Sequence, residues 1–361
     1  MKDAIERVAY ALRAFEQGQI VIVTDDADRE NEADLIVAGV HATPDKLALI
    51  VRHTSGIVCA PIPADLAQRL NLTPMVAEND APHGTAFTIS IDYRRGLTSG
   101  ISAEERANTI KALADPAAAA GDFVRPGHVF PLIAREGGVL IRSGHTEAAV
   151  DLCRLTNLPP VAAICELVND DGTVMRGSQV TDFADTWRFP IVSVADIISW
   201  RQRRERLVER VDEFTLTTAA GPATAISYRT PFDPMQHLAI VVGDIRDGSG
   251  VLARLHREQV AEDVFGEGGS LAKSMERIRK EGRGVVIYLR EGAAGVSPGR
   301  GAAAHATPTA REEEWREIGL GAQILKDLGV TSIRLLAHRE RRYVGLDGFG
   351  IAIQATEKLD G

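Results

Sequence analysis

The run QIVIVT at residues 19–24, continued by DDADRENEAD at residues 25–34, places a dense acidic segment directly after an apolar one. The apolar part is typical of a buried strand, and the part that follows carries six carboxylates and one arginine. Ligands in α/β folds usually lie beyond the ends of strands. Because crowded like charges repel one another unless a cation or solvent relieves them, this run predicts a divalent-metal site.

Composition narrows the class of protein. A chain of 361 residues favours two domains, and 45% hydrophobic and 25% charged residues are typical of a globular protein. The net charge of −9 argues against a nucleic-acid partner. No apolar run reaches membrane-spanning length and residues 1–18 are typical of an amphipathic helix, so we expect no membrane association and a cytoplasmic location. Cys59, Cys153 and Cys165 form no CxxC pair, which argues against a disulfide framework.

Helical and strand periodicities alternate along the chain and predict an α/β (α+β) protein of two domains. Five arginines between residues 201 and 210 indicate a connector, whose ordinary interpretation is a solvated helix face. We predict a first domain over residues 1–203, a basic helical connector over residues 204–212 and a second domain over residues 213–361. Predicted helices cover residues 4–17, 269–281 and 315–327, predicted strands cover residues 20–23, 34–39, 238–242, 284–288 and 332–336, and residues 301–308 form a predicted loop.

Four further segments of the first half combine glycine with hydroxyl, histidine or arginine residues, a mixture that suits a small phosphorylated polyol. They are RHTSGIVC (52–59), LTSGISAEER (97–106), RPGHVFP (125–131) and RSGHTEA (142–148). Carboxylate plus imidazole is also a ligand set for a divalent cation that polarises a carbonyl. Taken singly, each of these segments is more typical of a turn. The acidic run alone is more typical of a solvated surface. An EF-hand interpretation fails because Asn31 occupies the position that must be glycine.

Taken together, in this order and spacing, these segments resemble the 3,4-dihydroxy-2-butanone 4-phosphate synthases of riboflavin biosynthesis. The resemblance covers nearly the whole first half, with Ala33 where the family usually has glycine and Ser99 where it usually has threonine. It implies a compact α/β fold, a homodimer, and two Mg²⁺ or Mn²⁺ ions per active site. It also implies conversion of ribulose 5-phosphate to a four-carbon ketone phosphate with release of formate.

The resemblance also implies roles for individual residues. Glu30 and His145 would bind the metal ions, and His128, Glu166 and Asp34 would share the proton transfers, with the first proton acceptor left open. The substrate would contact Arg29, Glu30, Asp34, Cys59, Thr98, Arg142, Ser143, Gly144, His145, Thr146 and Glu166.

The second half resembles GTP cyclohydrolase II. The matching segments are HLAIVVGD (237–244), RLHRE (254–258), DVFG (263–266), EGRGV (281–285) and GLGAQILKDLGV (319–330). The family's three zinc-binding cysteines correspond to Gln259, Ser270 and Ala272, and no cysteine follows Cys165. Because these residues cannot rebuild a tetrahedral zinc site, we expect no zinc and no activated water to open the ring of GTP.

Other substitutions in the second half point the same way. The family's nucleotide loop has lost its arginine at residues 291–294, and residues 337–339 read AHR, although Arg316 and Glu314 occupy positions of catalytic residues. We therefore predict a second domain inactive as a cyclohydrolase. The alternatives are a bifunctional enzyme with residual cyclohydrolase activity, and a regulatory or scaffold module that binds a nucleotide or flavin. A chain without catalysis in either half is a further alternative, which Glu30, His128, His145 and Glu166 argue against.

Overall fold

The chain forms two compact units, Met1–Trp200 and Arg201–Gly361, each with its own sheet and cores. The structure is a computed structural model that describes residues 4–25, 29–231, 233–266, 269–290, 319–337 and 351–359. The predicted α/β (α+β) class with two domains is confirmed. No helix among these residues has the length and apolarity needed to cross a membrane.

A mixed sheet organises the first unit. Its strands are β1 (Val21–Thr24), β2 (Ala33–Ala38), β3 (Cys59–Ile62), β4 (Ile91–Tyr93), β5 (Phe123–Ile133), β6 (Ala162–Glu166) and β7 (Ile191–Ser193). They lie in the order β4-β5-β3-β6-β2-β1-β7. The helices are α1 (Ala4–Glu16), α2 (Pro44–His53), α3 (Ala64–Arg69), α4 (Ala103–Ala114), α5 (His145–Leu155), α6 (Ser178–Trp187) and α7 (Val194–Arg204).

Helices cover both faces of this sheet. Alternate residues of a strand point to opposite faces, and the buried side chains of β1 and β2 accordingly divide between two cores. Ile22 and Leu35 join the core formed with α2, α4 and α6, whereas Val23 and Ile36 join the core formed with α1, α5 and α7. The apolar run of β1 is continuous because both of its faces are buried.

β1 and β2 form an antiparallel hairpin, in which Val23 pairs with Asp34 and Thr24 pairs with Ala33. The acidic run is therefore the connection of this hairpin, and Asp34 lies inside β2 rather than at the start of the strand. β6 lies on the other side of β2, with Glu166 opposite Asp34. The pairing brings two carboxylates that are far apart in sequence to the same end of the sheet.

The second unit holds another mixed sheet. Its strands are β8 (Glu209–Thr218), β9 (Gly221–Thr230), β10 (Asp233–Val242), β11 (Val251–Arg257), β12 (Gly284–Leu289), β13 (Ser332–Ala337) and β14 (Ala352–Lys358), in the order β14-β13-β11-β12-β10-β9-β8. Its helices include α8 (Val260–Phe265), α9 (Ser270–Glu281) and helical residues 319–327. Ile278 of α9 shares a core with Val286, and Leu325 shares another with Ile287.

Several predictions for the second half fall outside the described residues. These are the loop at residues 301–308, the changed nucleotide loop at residues 291–294, Glu314, Arg316 and residues 338–339, together with the first part of the helix predicted at residues 315–327.

The predicted basic helical connector over residues 204–212 is wrong. Helix α7 ends at Arg204, and β8 begins at Glu209 and pairs with β9. Arg206 Nη2 lies 3.0 Å from Asp327 Oδ1, and Arg210 Nε lies 2.6 Å from Asp327 Oδ2. The run of arginines predicted a solvated helix because a charge pattern does not reveal that Asp327, more than one hundred residues away, pairs with two of them.

Candidate active site

Asp25 organises the acidic hairpin loop. Its side chain is fully buried, and it accepts hydrogen bonds from the main-chain N–H groups of Glu30 (3.1 Å) and Glu32 (2.9 Å). The Arg29 guanidinium donates to Asp25 Oδ2 at 3.0 Å and to Glu30 Oε2 at 2.6 Å. Arg29 and Glu30 are therefore held in place by a residue that the sequence prediction did not include.

Glu30, Asp34 and His145 meet at the end of the hairpin. His145 is the first residue of α5, and its Nδ1 lies 3.8 Å from Glu30 Oε2 and 3.8 Å from Asp34 Oδ1. Asp25, Glu30 and His145 each offer one ligand atom within 4.8 Å of the others. Asp34 Oδ1 and His145 Nε2 are buried without a hydrogen-bond partner. Buried polar atoms are normally paired, so this donor set fits a divalent cation.

The electrostatics of this group are dominated by crowded carboxylates. Burial and the neighbouring Glu166 raise the pKa of Asp34 to about 7, despite the opposing effect of His145. Burial lowers the pKa of His145, but Asp34 and Glu30 outweigh it and raise this pKa to about 9. Although burial raises the pKa of Glu30, His145 and Arg29 lower it to about 2. The excess negative charge is what a bound cation would neutralise.

Glu166 and Cys59 lie beside this group. Ser55 Oγ donates to Glu166 Oε2 at 2.6 Å, which orients a carboxylate that β6 places opposite Asp34. Cys59 begins β3 and pairs with Ile164 of β6. Burial, together with the negative charge of Glu166, raises the pKa of the Cys59 thiol. The Cys59 side chain is thus a small, uncharged thiol next to the carboxylates.

His128 forms a separate pair with Asp92, which the sequence prediction missed. His128 Nδ1 lies 2.7 Å from Asp92 Oδ2, and the His128 main-chain N–H donates to Asp92 Oδ1 at 2.9 Å. Asp92 is buried, while the His128 side chain is 40% exposed. Gly100 touches this pair so closely that a Cβ there would lie 2.7 Å from His128 Nδ1. Within the described residues, no hydrogen bond or ion pair joins His128 to the Glu30 group.

Thr98 belongs to the N-terminal cap of α4. Ser102 accepts a hydrogen bond from the Glu105 main-chain N–H at 3.1 Å, and Glu105 Oε1 accepts from the Thr98 main-chain N–H (2.6 Å) and hydroxyl (2.8 Å). The hydroxyl predicted to contact substrate therefore bonds to a carboxylate in this structure.

Arg142 and its neighbours precede α5. Arg142 Nη1 donates to the buried Glu147 at 2.6 Å. Gly144 leaves room for this pair, because a Cβ at residue 144 would lie 2.4 Å from Arg142 Nη1. Gly144 is also the N-cap of α5, and no side chain caps the first N–H groups of this helix, near the buried His145 and Thr146. Ser143 lies between Arg142 and Gly144, where the Gly144 main-chain N–H donates to Arg142 O at 2.9 Å.

The second unit has a hydrogen-bonded network around His256, next to Gln259 and Ser270, two of the positions that the sequence analysis matched to zinc-binding cysteines. His256 Nε2 lies 2.8 Å from Asp263 Oδ1, and His256 Nδ1 lies 3.4 Å from Ser270 Oγ. Asp263 Oδ2 accepts from Tyr288 Oη at 2.8 Å and from the Gln259 main-chain N–H at 2.9 Å. A neutral amide, a hydroxyl and the methyl of Ala272 do not fit a zinc site, and His256, Asp263 and Ser270 already have polar partners.

Two family models match the chain, one for each unit. The model described as 3,4-dihydroxy-2-butanone 4-phosphate synthase matches residues 9–200, and the model described as GTP cyclohydrolase II matches residues 209–358. Among similar proteins, the riboflavin biosynthesis protein RibBA of Nocardia farcinica is 45% identical, over 99% of this chain and 90% of that protein. The bifunctional riboflavin biosynthesis protein RIBA 1, chloroplastic, of Arabidopsis thaliana is 45% identical over 95% of this chain and 67% of that protein.

Among solved structures of similar proteins, one matches nearly the whole chain and another matches little more than half of it. RibBX from A. baumannii, described as a two-domain 3,4-dihydroxy-2-butanone 4-phosphate synthase, matches with a TM-score of 0.82 and 35% identity over 98% of both chains. A 3,4-dihydroxy-2-butanone 4-phosphate synthase in complex with two magnesium ions matches with a TM-score of 0.54 and 41% identity. That match covers 56% of this chain and 98% of the other.

Proposed function

Because the chain belongs to the 3,4-dihydroxy-2-butanone 4-phosphate synthase family and carries a second unit of the GTP cyclohydrolase II family, we propose that its first unit converts D-ribulose 5-phosphate to 3,4-dihydroxy-2-butanone 4-phosphate and formate. The observation that carries this proposal is the meeting of Glu30, Asp34 and His145, where two buried polar atoms lack hydrogen-bond partners. The enzyme serves riboflavin biosynthesis and uses a divalent metal ion.

Glu30 and His145 would hold two Mg²⁺ or Mn²⁺ ions, as the charge of the site favours. Bound ions of this kind would polarise the substrate carbonyl and stabilise the oxyanions that form next to it. The N-terminal turn of α5, with Gly144 and Thr146, would bind the phosphate through main-chain N–H groups and a hydroxyl. Arg29 donates to both Asp25 and Glu30, and its contact with the substrate stays a prediction.

Protons would move on Asp34, Glu166 and His128. Asp34 lies beside Glu30 and 3.8 Å from His145 Nδ1, where its carboxyl group could pass a proton to or from a bound substrate. Glu166 lies opposite Asp34 on the neighbouring strand, and Ser55 fixes the direction of its carboxylate. His128, oriented by Asp92, can accept or donate a proton through Nε2. Thr98, Ser143 and Arg142 remain predictions as substrate contacts.

We further propose that the second unit releases no formate from GTP and binds no catalytic zinc. The support is the network around His256, which occupies the region of Gln259, Ser270 and Ala272 with hydrogen bonds instead of metal ligands. A homodimer and a cytoplasmic location are proposed on the family resemblance. Ile57 and Ile101, each more than half exposed, offer apolar area for self-association in the first unit.

One assay tests the two halves together. Purified, metal-supplemented protein is incubated without oxygen with ribulose 5-phosphate and Mg²⁺, or with GTP, Mg²⁺ and Zn²⁺, and formate is measured in both. We expect formate from the sugar phosphate alone. Formate from GTP would contradict the second proposal and favour a bifunctional enzyme.

Variants Glu30→Ala and His145→Ala connect this activity to the site. Each should abolish formate release while the circular dichroism spectrum stays that of a folded protein. Near-normal turnover in either variant would contradict the proposed metal site.

A further inference from the structure

The loop of residues 73–89 reaches the Glu30 group from a distant part of the chain, and no role assigned so far uses it. At its base the Met75 main-chain N–H donates to Phe87 O at 2.9 Å. Near its tip Asn79 Nδ2 donates to Thr85 O at 2.9 Å. Most of its side chains are exposed, yet these bonds give the loop a defined conformation.

His83 is the residue of this loop that lies at the site. Its Nδ1 is 3.9 Å from Glu30 Oε1, on the side of the carboxylate opposite the atom nearest His145. The side chain is 37% exposed, and within the described residues its ring makes no hydrogen bond. An imidazole whose ring makes no hydrogen bond within the described residues, beside a proposed metal ligand, is placed to hydrogen-bond an oxygen of a bound ligand.

Arg142 holds His83 there. Arg142 Nη2 donates to His83 O at 3.1 Å and to Thr85 Oγ1 at 3.2 Å. The other arm of the guanidinium is fixed by Glu147, whose side chain is only 1% exposed. A buried carboxylate thus anchors an arginine, and the arginine anchors the main chain of His83 and the hydroxyl of Thr85, on either side of Gly84. This arrangement fixes where the main chain of His83 lies relative to the Glu30 group.

We propose that His83 is a further substrate-contacting residue, which hydrogen-bonds an oxygen of the sugar phosphate, and that Arg142 and Thr85 are positioning residues for it. The proposal rests on the proposed function. Because both Nη atoms of Arg142 donate to protein groups, Arg142 also affects substrate affinity through the loop.

The test uses the full-length, Mg²⁺-loaded protein and two readouts. One is turnover of ribulose 5-phosphate, and the other is calorimetric binding of ribitol 5-phosphate, which lacks the ketone and cannot react. The variants are His83→Ala, Thr85→Val and the double variant, with Glu78→Ala as a control on the same loop. Glu78 makes no hydrogen bond or ion pair within the described residues.

His83→Ala should raise the KM for the substrate and the Kd for ribitol 5-phosphate about threefold to tenfold, as expected for one hydrogen bond, with a smaller change in kcat. Thr85→Val should give a smaller increase, and the double variant should match His83→Ala because both act through one contact. Glu78→Ala should match the unaltered protein.

An unchanged Kd for ribitol 5-phosphate in His83→Ala at saturating Mg²⁺ would overturn the proposal. If this variant also needed a higher Mg²⁺ concentration for half-maximal activity, His83 would only support Glu30. Because ribitol 5-phosphate binding needs no turnover, an absence of formate from the unaltered protein would contradict the proposed function while leaving this test decisive.

Discussion

At the scale of single residues, pairing decides what a side chain can do. The Asp92 carboxylate can only accept, so the 2.7 Å contact fixes the proton of the neutral His128 imidazole on Nδ1 and leaves Nε2 as the basic nitrogen. The main-chain bond to the other carboxylate oxygen prevents rotation of Asp92. A partly exposed histidine thereby acquires one tautomer and one orientation.

Asp92→Asn should lower kcat for formate release about 10- to 100-fold, because the amide no longer favours the Nδ1–H tautomer. The KM should change less, and the melting temperature should stay within a few degrees. The matched comparison is His128→Ala with and without Asp92→Asn. If the second substitution lowers activity further in the His128→Ala background, Asp92 does not act through His128.

At the scale of elements, β8 is attached to the helical residues 319–327 by one carboxylate. Asp327 accepts from Arg206, from Arg210 of β8 and from Tyr228 of β9, the last at 2.9 Å. Burial raises the pKa of Asp327, but the hydrogen bonds from Arg210 and Tyr228 lower it overall. Because the folded pKa lies below the unfolded one, this carboxylate stabilises the fold above the unfolded pKa, and the stabilisation is lost as the pH falls through the folded pKa.

Asp327→Asn should therefore lower the free energy of unfolding at pH 7 by about 1–3 kcal/mol. The difference from the unaltered protein should shrink as the pH falls below about 4, near the unfolded pKa of an aspartate. Melting temperatures between pH 3 and pH 7 would measure it. Asp244→Asn is the control, since Asp244 pairs with Arg246 on the surface and should change the melting temperature little. A difference that grew in acid would contradict this account.

At the scale of the whole molecule, the two proposed sites differ in how their buried polar groups are paired. The first brings unpartnered buried donors together, whereas the second has satisfied its polar groups around His256. Each unit has its own cores, so each can be followed separately in unfolding.

Removal of divalent ions with EDTA should abolish formate release from ribulose 5-phosphate while leaving the unfolding transition of the second unit unchanged. His256→Ala should lower the free energy of unfolding of the second unit by about 1–3 kcal/mol, because it leaves Asp263 and Ser270 without their shared partner. Calorimetry of the full-length protein and its zinc content by mass spectrometry would check both. One tightly bound zinc per chain would contradict the hydrogen-bonded network.

Sequence patterns predicted the strands well where burial on both faces left an uninterrupted apolar run, as in β1, β12 and β13. They also predicted the acids and the imidazole that meet at Glu30, through the family resemblance. They missed Asp92 and His83, whose partners lie 36 and 59 residues away, because one carboxylate in a short strand or one histidine in a loop carries no periodic signal. Such pairs become visible only when the fold brings distant segments together.

The pairing of Thr24 with Ala33 has a consequence for protein engineering. The acidic connection starts and ends at one rung of the hairpin, so its length can change without shifting the strands on either side. A one-residue deletion inside β2, in contrast, would turn every later side chain of that strand to the opposite face. A combinatorial library aimed at new metal selectivity should therefore randomise residues 26–32 in sequence and length, while Asp25 and the strand positions from residue 33 onward are kept constant.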